Sequence, residues 1–494
     1  MTATRIDDGH IRRFVAASGD ANRLHVDPEF ARRTMYGRCV VHGALVAIVM
    51  LGAVEEAMLG QARSLDLSFA QPVFPGEDLT LRSGPRHPGR VTVEAWSRGQ
   101  ACARITVEAG GSVLPLVPPW ALACRSEPRR LTLADLESAA GADYGDVYAP
   151  NVAGLRELAA QLGAGDIPDA LLAWLAAASY TVGMLVPGAD AVFAAARIER
   201  SDGPGPARLE VVPGARQPAT GLLEVRARFG YGAASADLRL RAFVRPGVPG
   251  PRPDVLLGHL PPSAALSGRQ ALVVGASRGL GASVAGALAT QGATVWVGYA
   301  RSDGLAEELR AEFGAERIRP VRFDAADGED TRAAIARITR TAGSLDGAAL
   351  CAAPPPQALP LHRDAVPTAL AYLAESMAMT LYPLCEVLPH VAPGGWLALV
   401  SSSAVTDPPA AWPHYVAAKG AVEALAGYCR RHFSLRVATI RPPRMRTDMT
   451  NGPTSGIGAA APETVAAAIV RWVLDNRTGE EILAPDQLTA EAPR

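Results

Sequence analysis

Lysine is almost absent from this chain: Lys419 is its single lysine, and the other 47 of its 48 basic residues are arginine. The formal net charge is only -1 and no run of basic residues occurs, so we expect no nucleic-acid partner. Six cysteines are scattered without a C-x-x-C pair or a partner histidine spacing, which predicts no metal site and no disulfide framework. The opening MTATRIDDGH has no apolar stretch of the signal-peptide kind, so we expect a cytoplasmic protein.

Charge is also missing from one long run, the 20 residues between Asp169 and Asp190. Such a length could span a bilayer. However, the run is rich in alanine, contains Pro187 and has no basic flanks, and these features are not typical of a membrane span. We therefore interpret it as a buried core helix and expect no membrane partner.

What is present is the composition of a multidomain globular protein, with 49% hydrophobic and 20% charged residues. Residues 1–125 contain an apolar helix followed by segments of alternating apolar and polar residues. Residues 126–250 repeat that order, which predicts two copies of one α+β unit. Prolines in 251–266 predict a stiff, extended linker. Residues 267–494 alternate strands with helices, the pattern of an α/β domain with a doubly wound parallel sheet.

A glycine-rich loop, GASRGLG, lies between the first strand and the first helix of the third domain. Glycines there allow a tight turn and let backbone N–H groups approach a pyrophosphate at the helix N-terminus. A turn without a ligand is the alternative interpretation, but the placement after a buried strand favours a dinucleotide site. The loop residues that we expect to contact this cofactor are Gly275, Ser277, Arg278, Gly279, Leu280 and Gly281.

The charges near the end of the second strand of this domain bear on which dinucleotide binds. Sites that prefer NAD often have an acidic residue there, which bonds the ribose 2′-OH. Here Arg301 stands near the strand end and Arg278 lies in the glycine loop, and two guanidinium groups suit a 2′-phosphate. We therefore expect NADP(H), although Asp303 could take the role of that acidic residue, shifted by two positions.

The single lysine follows a tyrosine by four residues, so Tyr415 and Lys419 share one face of a helix. An ammonium beside a phenol favours the phenolate, so we expect Lys419 to lower the pKa of Tyr415 from its usual value of about 10. Ser402, upstream at a strand end, can hold a substrate carbonyl. A surface pair is the alternative interpretation. A compact ammonium fits between a phenol and a ribose and a guanidinium does not, which explains why arginine is avoided at this position.

This third domain resembles the short-chain dehydrogenase/reductases over essentially its whole length, and 3-oxoacyl-thioester reductases in particular. The resemblance implies a Rossmann fold in which Ser402, Tyr415 and Lys419 are the catalytic residues. It also implies that Thr447 in IRPPRMRTDMT contacts the nicotinamide amide and that Asp324 in FDAAD meets the adenine. Members of the family commonly pair through helices that flank the tyrosine-lysine helix, which implies a homodimer or homotetramer.

Three departures from the family pattern affect this domain. The strand end that reads NNAG in the family is LCAA here, from Leu350 to Ala353. The helix asparagine of the family's proton relay corresponds to Ser376, and the family's PG motif reads Pro442-Pro443. A serine can still bond a water, so these changes bear on the efficiency of reduction more than on the fold.

A polar loop precedes the first apolar helix of the chain, where residues 18–25 read SGDANRLH. Asp20 and His25, with Asn22 between them, can hold one water and transfer its proton. The backbone N–H of Gly43, at the start of the helix, can stabilise a thioester oxyanion. That combination suits the addition of water to, or its removal from, a double bond conjugated to a thioester. An Asx-turn with a surface histidine is the alternative interpretation.

The stretch resembles the MaoC-like, (R)-specific enoyl-thioester hydratases of the hot-dog fold, over residues 1–120. The resemblance implies that Asp20 and His25 are the catalytic pair and that Gly43 is the oxyanion donor. The family motif is close to S-G-D-x-N-P-x-H-x-D followed by H-G. Its residues are kept at Ser18, Gly19, Asp20, Asn22, His25, Asp27, His42 and Gly43.

Two positions depart from that motif. Arg23 replaces the family's proline and is either a contact for the phosphate of phosphopantetheine or CoA, or a solvated side chain. Leu51 stands where some members carry a serine. Residues 126–250 have the helix and strands without the motif, so they resemble a degenerate second hot-dog. It would complete a double hot-dog and help to form the acyl tunnel.

The two implied chemistries share an intermediate, because reduction of a 3-oxoacyl thioester gives the 3-hydroxyacyl thioester that a dehydratase consumes. We therefore expect a bifunctional NADPH-dependent reductase and dehydratase that acts on thioesters of acyl-carrier protein or CoA, in polyketide or fatty-acyl metabolism. The alternatives are an enzyme with one active domain, a non-catalytic hot-dog module that docks acyl carriers, and a degradative hydratase with 3-hydroxyacyl dehydrogenase activity.

Overall fold

The computed structural model of the chain contains two compact units, Met1–Gly247 together with Gly452–Thr454, and Val248–Asn451 together with Ser455–Arg494. The residues that the structure describes are 3–85, 87–114, 121–131, 135–136, 141–201, 208–217, 220–231, 234–245, 247–248, 250–452, 458–475 and 482–489.

The first unit contains two helices that are buried on every side. They are α4 (Gly43–Leu51) and α7 (Asp169–Tyr180), and α7 continues into a π-helical turn over Thr181–Leu185. A helix that is apolar all round belongs in a core rather than on a surface. The helices of this unit are α1 (Asp8–Ser18), α2 (Arg23–Val26), α3 (Pro28–Arg32), α4 (Gly43–Leu51), α5 (Glu56–Gly60), α6 (Val152–Gln161) and α7 (Asp169–Tyr180).

One antiparallel sheet encloses these helices, in the order β1-β3-β4-β5-β2-β6-β9-β8-β7. The two halves of the unit join where β2 pairs with β6, with Leu65 opposite Ile198. Each half therefore wraps strands around one helix, which confirms the predicted double hot-dog. The strands are β1 (Thr4–Arg5), β2 (Ala62–Phe69), β3 (Asp78–Ser83), β4 (Arg90–Ser97), β5 (Gln100–Ala109), β6 (Ala191–Ser201), β7 (Glu210–Arg216), β8 (Leu222–Tyr231) and β9 (Ala234–Val244).

The charge-free run that could have spanned a bilayer is the second of these core helices. Trp174 and Tyr180 on α7 are fully buried, and α7 packs against α4. Each large apolar side chain buried in this way contributes about 1.5–3 kcal/mol to folding. None of the helices among the described residues has the length and apolar character that crossing a bilayer requires.

The second unit has a parallel sheet in the order β12-β11-β10-β13-β14-β15-β16. The chain order reverses between β10 and β13, and ligands bind beyond the carboxyl ends of strands at such a point. The strands are β10 (Gln270–Val274), β11 (Thr294–Tyr299), β12 (Ile318–Arg322), β13 (Leu345–Leu350), β14 (Val391–Val400), β15 (Arg436–Ile440) and β16 (Ile482–Leu483).

Helices cover both faces of this sheet and form one apolar core on each side. The arrangement confirms the predicted doubly wound α/β fold. The helices are α8 (Pro253–His259), α9 (Gly279–Thr290), α10 (Asp303–Phe313), α11 (Gly328–Ala342), α12 (Val366–Val387), α13 (Pro413–His432), α14 (Pro462–Asp475) and α15 (Pro485–Thr489).

The proline-rich segment 251–266 is not the extended linker that its composition predicts, because α8 lies inside it. Pro253 stands in the first turn of this helix, where its missing N–H costs nothing. Leu256 is buried, and the His259 carbonyl accepts a hydrogen bond from Arg471 on α14. Packing against α14 therefore overrides the extended preference of the prolines.

Candidate active sites

Asp20 lies in the loop between α1 and α2 and is only 2% exposed. One of its carboxylate oxygens accepts a hydrogen bond of 3.3 Å from the Asn22 amide. The other accepts a hydrogen bond of 2.6 Å from the Ser179 hydroxyl, which belongs to α7 of the second half. Burial raises the pKa of Asp20, while the His25 imidazole and the Ser179 hydroxyl oppose that shift.

The second half also shapes this loop through its π-helical turn. A Cβ on Gly183 would lie 2.2 Å from an oxygen of Asp20, so glycine is what allows the carboxylate to sit there. The Asn22 side-chain amide donates to the carbonyls of Gly183 and Gly188, both at 2.9 Å. Asn22, predicted as an auxiliary catalytic residue, therefore holds the two halves together.

Ser179 and Gly183 were missed by the sequence reasoning, which assigned the second half no more than a part in the acyl tunnel. The available signal was the presence of a hydroxyl and a glycine inside a run of otherwise apolar residues. A polar group in such a run needs a buried partner. The sequence does not reveal that the partner is Asp20.

His25 stacks on His42, with ring centroids 3.6 Å apart and an interplanar angle of 25°. His25 Nδ1 donates to the Val40 carbonyl at 2.8 Å, so its proton lies on Nδ1 and Nε2 has a free lone pair. Burial lowers the pKa of His25, His42 lowers it further, and Asp20 opposes the shift. Burial lowers the pKa of His42 to about 3. Neutral imidazoles therefore face the Asp20 carboxyl group.

The ligand atoms of Asp20, His25 and His42 all lie within 4.8 Å of one another. His42 Nε2 already donates to the backbone carbonyl of Asp20 at 3.0 Å, so it is not available as a metal ligand. Stacked imidazoles direct their lone pairs along nearly parallel planes rather than toward one point. The arrangement suits proton transfer better than metal binding, and the absence of a metal stays a prediction.

Gly43 is the first residue of α4, and its N–H forms no hydrogen bond within the described part of the chain. A Cβ at this position would lie 2.9 Å from the Phe69 ring. An open N–H at a helix N-terminus is suited to stabilise a developing negative charge.

A cavity of about 230 Å³ connects these groups. Asp20, His25 and Gly43 all line it, together with apolar residues from both halves, including Phe69 and Phe193, whose ring centroids are 5.2 Å apart. Leu51 is fully buried in the core and does not line the cavity. The structure therefore brings the three predicted residues to the wall of one largely apolar pocket.

In the second unit, the glycine loop lies between β10 and α9. Gly275 and Gly279 adopt φ values of +77° and +57°, which favour glycine. A Cβ on Gly281 would lie 2.2 Å from the Gly275 carbonyl oxygen. No side chain caps the N-terminus of α9, so its N–H groups are open to an anionic ligand. Ser277 is half-buried in the loop and Leu280 is buried in the first turn of α9.

Arg278 and Arg301 each lie near a carboxylate. Arg278 bonds Asp448 at 3.3 Å, and Arg301 lies 3.7 Å from Asp324, the residue expected to meet the adenine. Asp303, the candidate acidic residue for NAD, accepts a hydrogen bond from the Tyr299 hydroxyl at 3.0 Å. Arg301, two residues beyond the end of β11, therefore places a guanidinium beside the Asp324 carboxylate at this edge of the site.

Thr447 faces the glycine loop from the segment after β15. Its Cγ2 would lie 3.4 Å from a Cβ on Gly279. Its hydroxyl lies 3.3 Å from that of Thr450, which fixes the start of a short 3-10 turn. The structure thus places Thr447 beside the N-terminus of α9, where the predicted cofactor contact requires it.

Tyr415 and Lys419 share one face of α13, with Lys419 Nζ 5.8 Å from the centroid of the Tyr415 ring. Ser402, at the end of β14, is 8% exposed and hydrogen-bonds the tyrosine. Lys419 is 5% exposed and donates to the Val400 carbonyl at 2.9 Å. The three predicted residues therefore meet at the carboxyl edge of the sheet.

The expectation that Lys419 lowers the pKa of Tyr415 is wrong for this structure. Burial raises the pKa of Tyr415, and only the Ser402 hydrogen bond opposes the shift. Burial also lowers the pKa of Lys419 to about 8. The physical reason is desolvation, because the ammonium faces the Val400 carbonyl instead of the phenol oxygen.

Two of the departures from the family pattern also lie near this site. Cys351, in the LCAA strand end, lies close enough to the Lys419 ammonium for that charge to act on its pKa. Burial raises the pKa of Cys351 to about 12, which keeps it a neutral thiol. Ser376 on α12 is 3% exposed, and its hydroxyl makes no hydrogen bond to any described residue. A relay through Ser376 therefore requires a water.

Comparison with known families matches both units. Residues 269–458 match the family model described as short chain dehydrogenase, and residues 2–85 match the model described as MaoC like domain.

Two curated proteins are similar to parts of the chain. The (R)-specific enoyl-CoA hydratase of Aeromonas caviae is 37% identical over 79 residues, which are 15% of this chain and 59% of that enzyme. The L-rhamnose 1-dehydrogenase (NAD(P)(+)) of Sphingomonas sp. strain SKA58 is 39% identical over 83 residues, which are 16% of this chain and 33% of that enzyme. The chain thus spans less than two thirds of the length of either relative.

Among solved structures, a short chain dehydrogenase from Burkholderia cenocepacia J2315 in complex with NADP is similar to part of the chain. Its sequence identity is 26% and its TM-score is 0.40, over 44% of this chain and 96% of that one.

Proposed function

We propose that this chain, which joins an N-terminal MaoC-like domain to a C-terminal short-chain dehydrogenase domain, is a bifunctional enzyme. It reduces 3-oxoacyl thioesters with NADPH and removes water from the resulting 3-hydroxyacyl thioesters, on acyl-carrier protein or CoA, in polyketide or fatty-acyl metabolism. One observation carries the proposal. Each domain holds a grouped set of reactive side chains, and in the proposed reactions the product of the second domain would be the substrate of the first.

The reductase chemistry rests on Ser402, Tyr415 and Lys419. When bound, NADPH supplies a hydride. The Tyr415 phenol, whose pKa burial raises, holds the proton that the carbonyl oxygen needs as it becomes an alcohol. Ser402 positions that oxygen by a hydrogen bond. Lys419 supplies a buried positive charge beside the tyrosine, which stabilises the phenolate that is left when the phenol gives up this proton.

The preference for NADPH is supported by the charges around the glycine loop. Arg278 lies at the N-terminus of α9 and Arg301 at the end of β11, and a 2′-phosphate matches guanidinium groups at both places. Gly275 and Gly281 let backbone segments pack closely around this loop, since a Cβ on Gly275 would lie 2.7 Å from Ala352 and a Cβ on Gly281 would lie 2.2 Å from the Gly275 carbonyl oxygen. The engagement of Asp303 with Tyr299 removes the main competitor for an NAD-type contact.

The dehydratase chemistry uses Asp20, His25 and Gly43. The free Nε2 of His25 takes the proton from C2, and Asp20, whose pKa burial raises, gives a proton to the C3 hydroxyl. The C3–O bond breaks, a double bond forms between C2 and C3, and water leaves. The Gly43 N–H donates to the thioester oxygen, where negative charge develops. Proton transfer from His25 to Asp20 restores both groups.

Mass spectrometry of products tests both activities in one sample. The protein is incubated with acetoacetyl-CoA and NADPH, and we expect 3-hydroxybutyryl-CoA followed by crotonyl-CoA. Tyr415→Phe should abolish the first product, whereas Tyr428→Phe, an exposed tyrosine on the same helix, should not. Asp20→Asn should stop the second product, whereas Asp66→Asn at a surface ion pair should not.

The alternatives give different outcomes in the same assay. If reduction survives Tyr415→Phe, the reductase assignment fails. If Asp20→Asn forms crotonyl-CoA at the wild-type rate, the first domain is better described as a docking module for acyl carriers. Faster turnover of crotonyl-CoA with NADP⁺ than of acetoacetyl-CoA with NADPH would favour the degradative direction.

A further inference from the structure

A second cleft, of about 690 Å³, lies on the other side of the Asp20 loop. Its lining includes three arginines, Arg23, Arg130 and Arg245, and two carboxylates, Glu127 and Asp190. The neighbouring catalytic cavity has no arginine among its lining residues. The cleft therefore differs from the catalytic cavity in being lined by positively charged side chains.

Arg245 forms the floor of this cleft. Its side chain is only 4% exposed and pairs with Asp190 at 3.1 Å, while the Asp190 side chain is 45% exposed. The guanidinium lies 5.0 Å from the centroid of the Phe30 ring. A planar guanidinium held in this way presents fixed donors, which suit the oxygens of a phosphate.

Arg23 and Arg130 stand at the rim. Arg23 bonds one oxygen of Asp27 through Nε and one terminal nitrogen, at 2.9 and 2.7 Å, and its guanidinium also lies against Phe30, at 4.8 Å. Arg130 is exposed and forms no ion pair with any described residue. Arg130 can therefore turn its donors toward a ligand at low cost, whereas Arg23 can offer Nη1 while its Nε and Nη2 stay on Asp27.

The cleft and the catalytic cavity are separated by the thickness of one chain. Ala21 and Arg23 line the cleft, whereas Asp20, Asn22 and Leu24 line the cavity. Two strand segments divide the spaces in the same way. Asp190 and Val244 line the cleft, whereas their chain neighbours Ala191 and Phe243 line the cavity.

Tyr36 gives a further link between the two spaces, because it lines the catalytic cavity. Burial raises its pKa, and the nearby charge of Arg245 opposes that shift. Arg245 therefore acts across the wall that divides the cleft from the cavity.

We propose that this cleft binds the phosphate of the phosphopantetheine arm that carries the thioester. This proposal rests on the function proposed above for the first domain. The acyl chain occupies the apolar cavity, the thioester lies at Asp20, His25 and Gly43, and the arm crosses the 20–24 loop. CoA and phosphopantetheinylated acyl-carrier protein share this phosphate, and the cleft recognises it in either.

Calorimetric titration of the whole protein with 4′-phosphopantetheine and with pantetheine, which lacks the phosphate, tests the site without any turnover. We expect the phosphorylated arm to bind at least about tenfold more tightly, as charge-assisted hydrogen bonds provide. The double variant Arg23→Gln with Arg130→Gln should remove that difference. Arg226→Gln, an exposed arginine on β8 away from the cleft, should keep it. Equal binding of the two ligands, or discrimination that persists in the double variant, would overturn the proposal.

Titration with two further ligands, CoA and a serine peptide modified with phosphopantetheine, identifies which carrier supplies the phosphate. Both should lose affinity in the double variant, and the ligand that binds wild-type protein more tightly identifies the carrier. Failure of either to respond to the double variant contradicts the site. Because binding is measured directly, a protein that binds the arm but does not dehydrate would refute the proposed function and leave the cleft intact. A protein that dehydrates the thioester but binds 4′-phosphopantetheine and pantetheine equally would refute the cleft and leave the proposed function intact.

Discussion

Ser179 donates a hydrogen bond of 2.6 Å to the Asp20 carboxylate, although 159 positions separate the two residues. Asp20 belongs to the half that carries the hydratase-like motif, and Ser179 to the half that lacks it. The second half is thus part of the site, since it fixes one oxygen of the carboxylate and makes room for the other at Gly183.

Ser179→Ala should therefore change dehydration without removing a reactive group. Asp20 becomes charged as it gives up its proton, and a hydrogen bond to a charged, buried group is worth about 1.5–3 kcal/mol, so we expect kcat to fall about tenfold or more. Because the Ser179 hydroxyl lowers the pKa of Asp20, its loss should move the limb of the pH–rate profile due to Asp20 to higher pH. Ser112→Ala, at an exposed serine, is the control. An unchanged pH profile would reduce Ser179 to a packing residue.

Gly183→Ala should act more strongly, because the added Cβ would lie 2.2 Å from an Asp20 oxygen. Alanine normally favours a helix over glycine by about 1 kcal/mol, so a gain in stability is the expectation from propensity alone. We expect the opposite here, with loss of dehydration and a lower melting temperature. Gly60→Ala, where the new Cβ meets nothing within 4 Å, is the matched control. Full activity in Gly183→Ala would contradict the placement of Asp20.

Lys419→Arg should stop reduction and leave dehydration unaffected. The ammonium is 5% exposed and donates to the Val400 carbonyl at 2.9 Å, a space that does not admit a planar guanidinium. We expect reductive kcat/KM to fall by about 10²–10⁴-fold. NADPH oxidation measures the loss, and crotonyl-CoA hydration by the same preparation shows that the protein is folded. Reduction at a wild-type rate would mean that the position needs only a positive charge.

The buried Lys419 should also lower the free energy of unfolding at neutral pH. Its pKa falls from 10.5 to about 8 on burial, so the unfolded chain binds more protons between these values. The cost is fully present below pH 8 and disappears as the pH rises through this window, and its size is about 3 kcal/mol. Lys419→Met should therefore be more stable than wild type at pH 7, with a smaller difference at pH 10. Urea unfolding of both proteins at both pH values checks this, and a gap that is independent of pH would contradict it.

Arg301→Leu should reduce the preference for NADPH over NADH. The guanidinium is exposed just beyond the end of β11 and lies near the Asp324 carboxylate. A 2′-phosphate would take the place of that carboxylate as the negatively charged neighbour of Arg301. We expect KM for NADPH to rise about tenfold and KM for NADH to change little. Arg310→Leu, on the outer face of α10, is the control. Equal changes in KM for both cofactors would contradict this role of Arg301 and favour Asp303 as the residue that bonds the ribose 2′-OH of NAD.

The sequence was most informative where a site is made of residues close in the chain. Asp20, His25 and Gly43 stand around one loop and one helix start, and Tyr415 and Lys419 occupy one turn of one helix, so spacing alone groups them. Both folds were predictable for a related reason, because their patterns of apolar residues repeat locally.

Contributions that depend on distant pairing were not predictable. Ser179 reaches Asp20 only because α7 packs against α4 inside one sheet, and nothing in the local sequence records that contact. The helix at Pro253 depends in the same way on α14. The pKa of Tyr415 was misjudged because desolvation depends on what surrounds the phenol, and a four-residue spacing gives no measure of it.

The pairing of β2 with β6 has a consequence for how this site can change over time. Two identical subunits of a dimer carry every mutation twice, so a residue that is useful in one copy must be tolerated in the other. Covalent joining removes that rule. One half retains the acid and the base, and the other retains a hydroxyl and a glycine that position them. Each half can therefore carry different residues, and the molecule has one asymmetric centre where a symmetric dimer would have two equivalent ones.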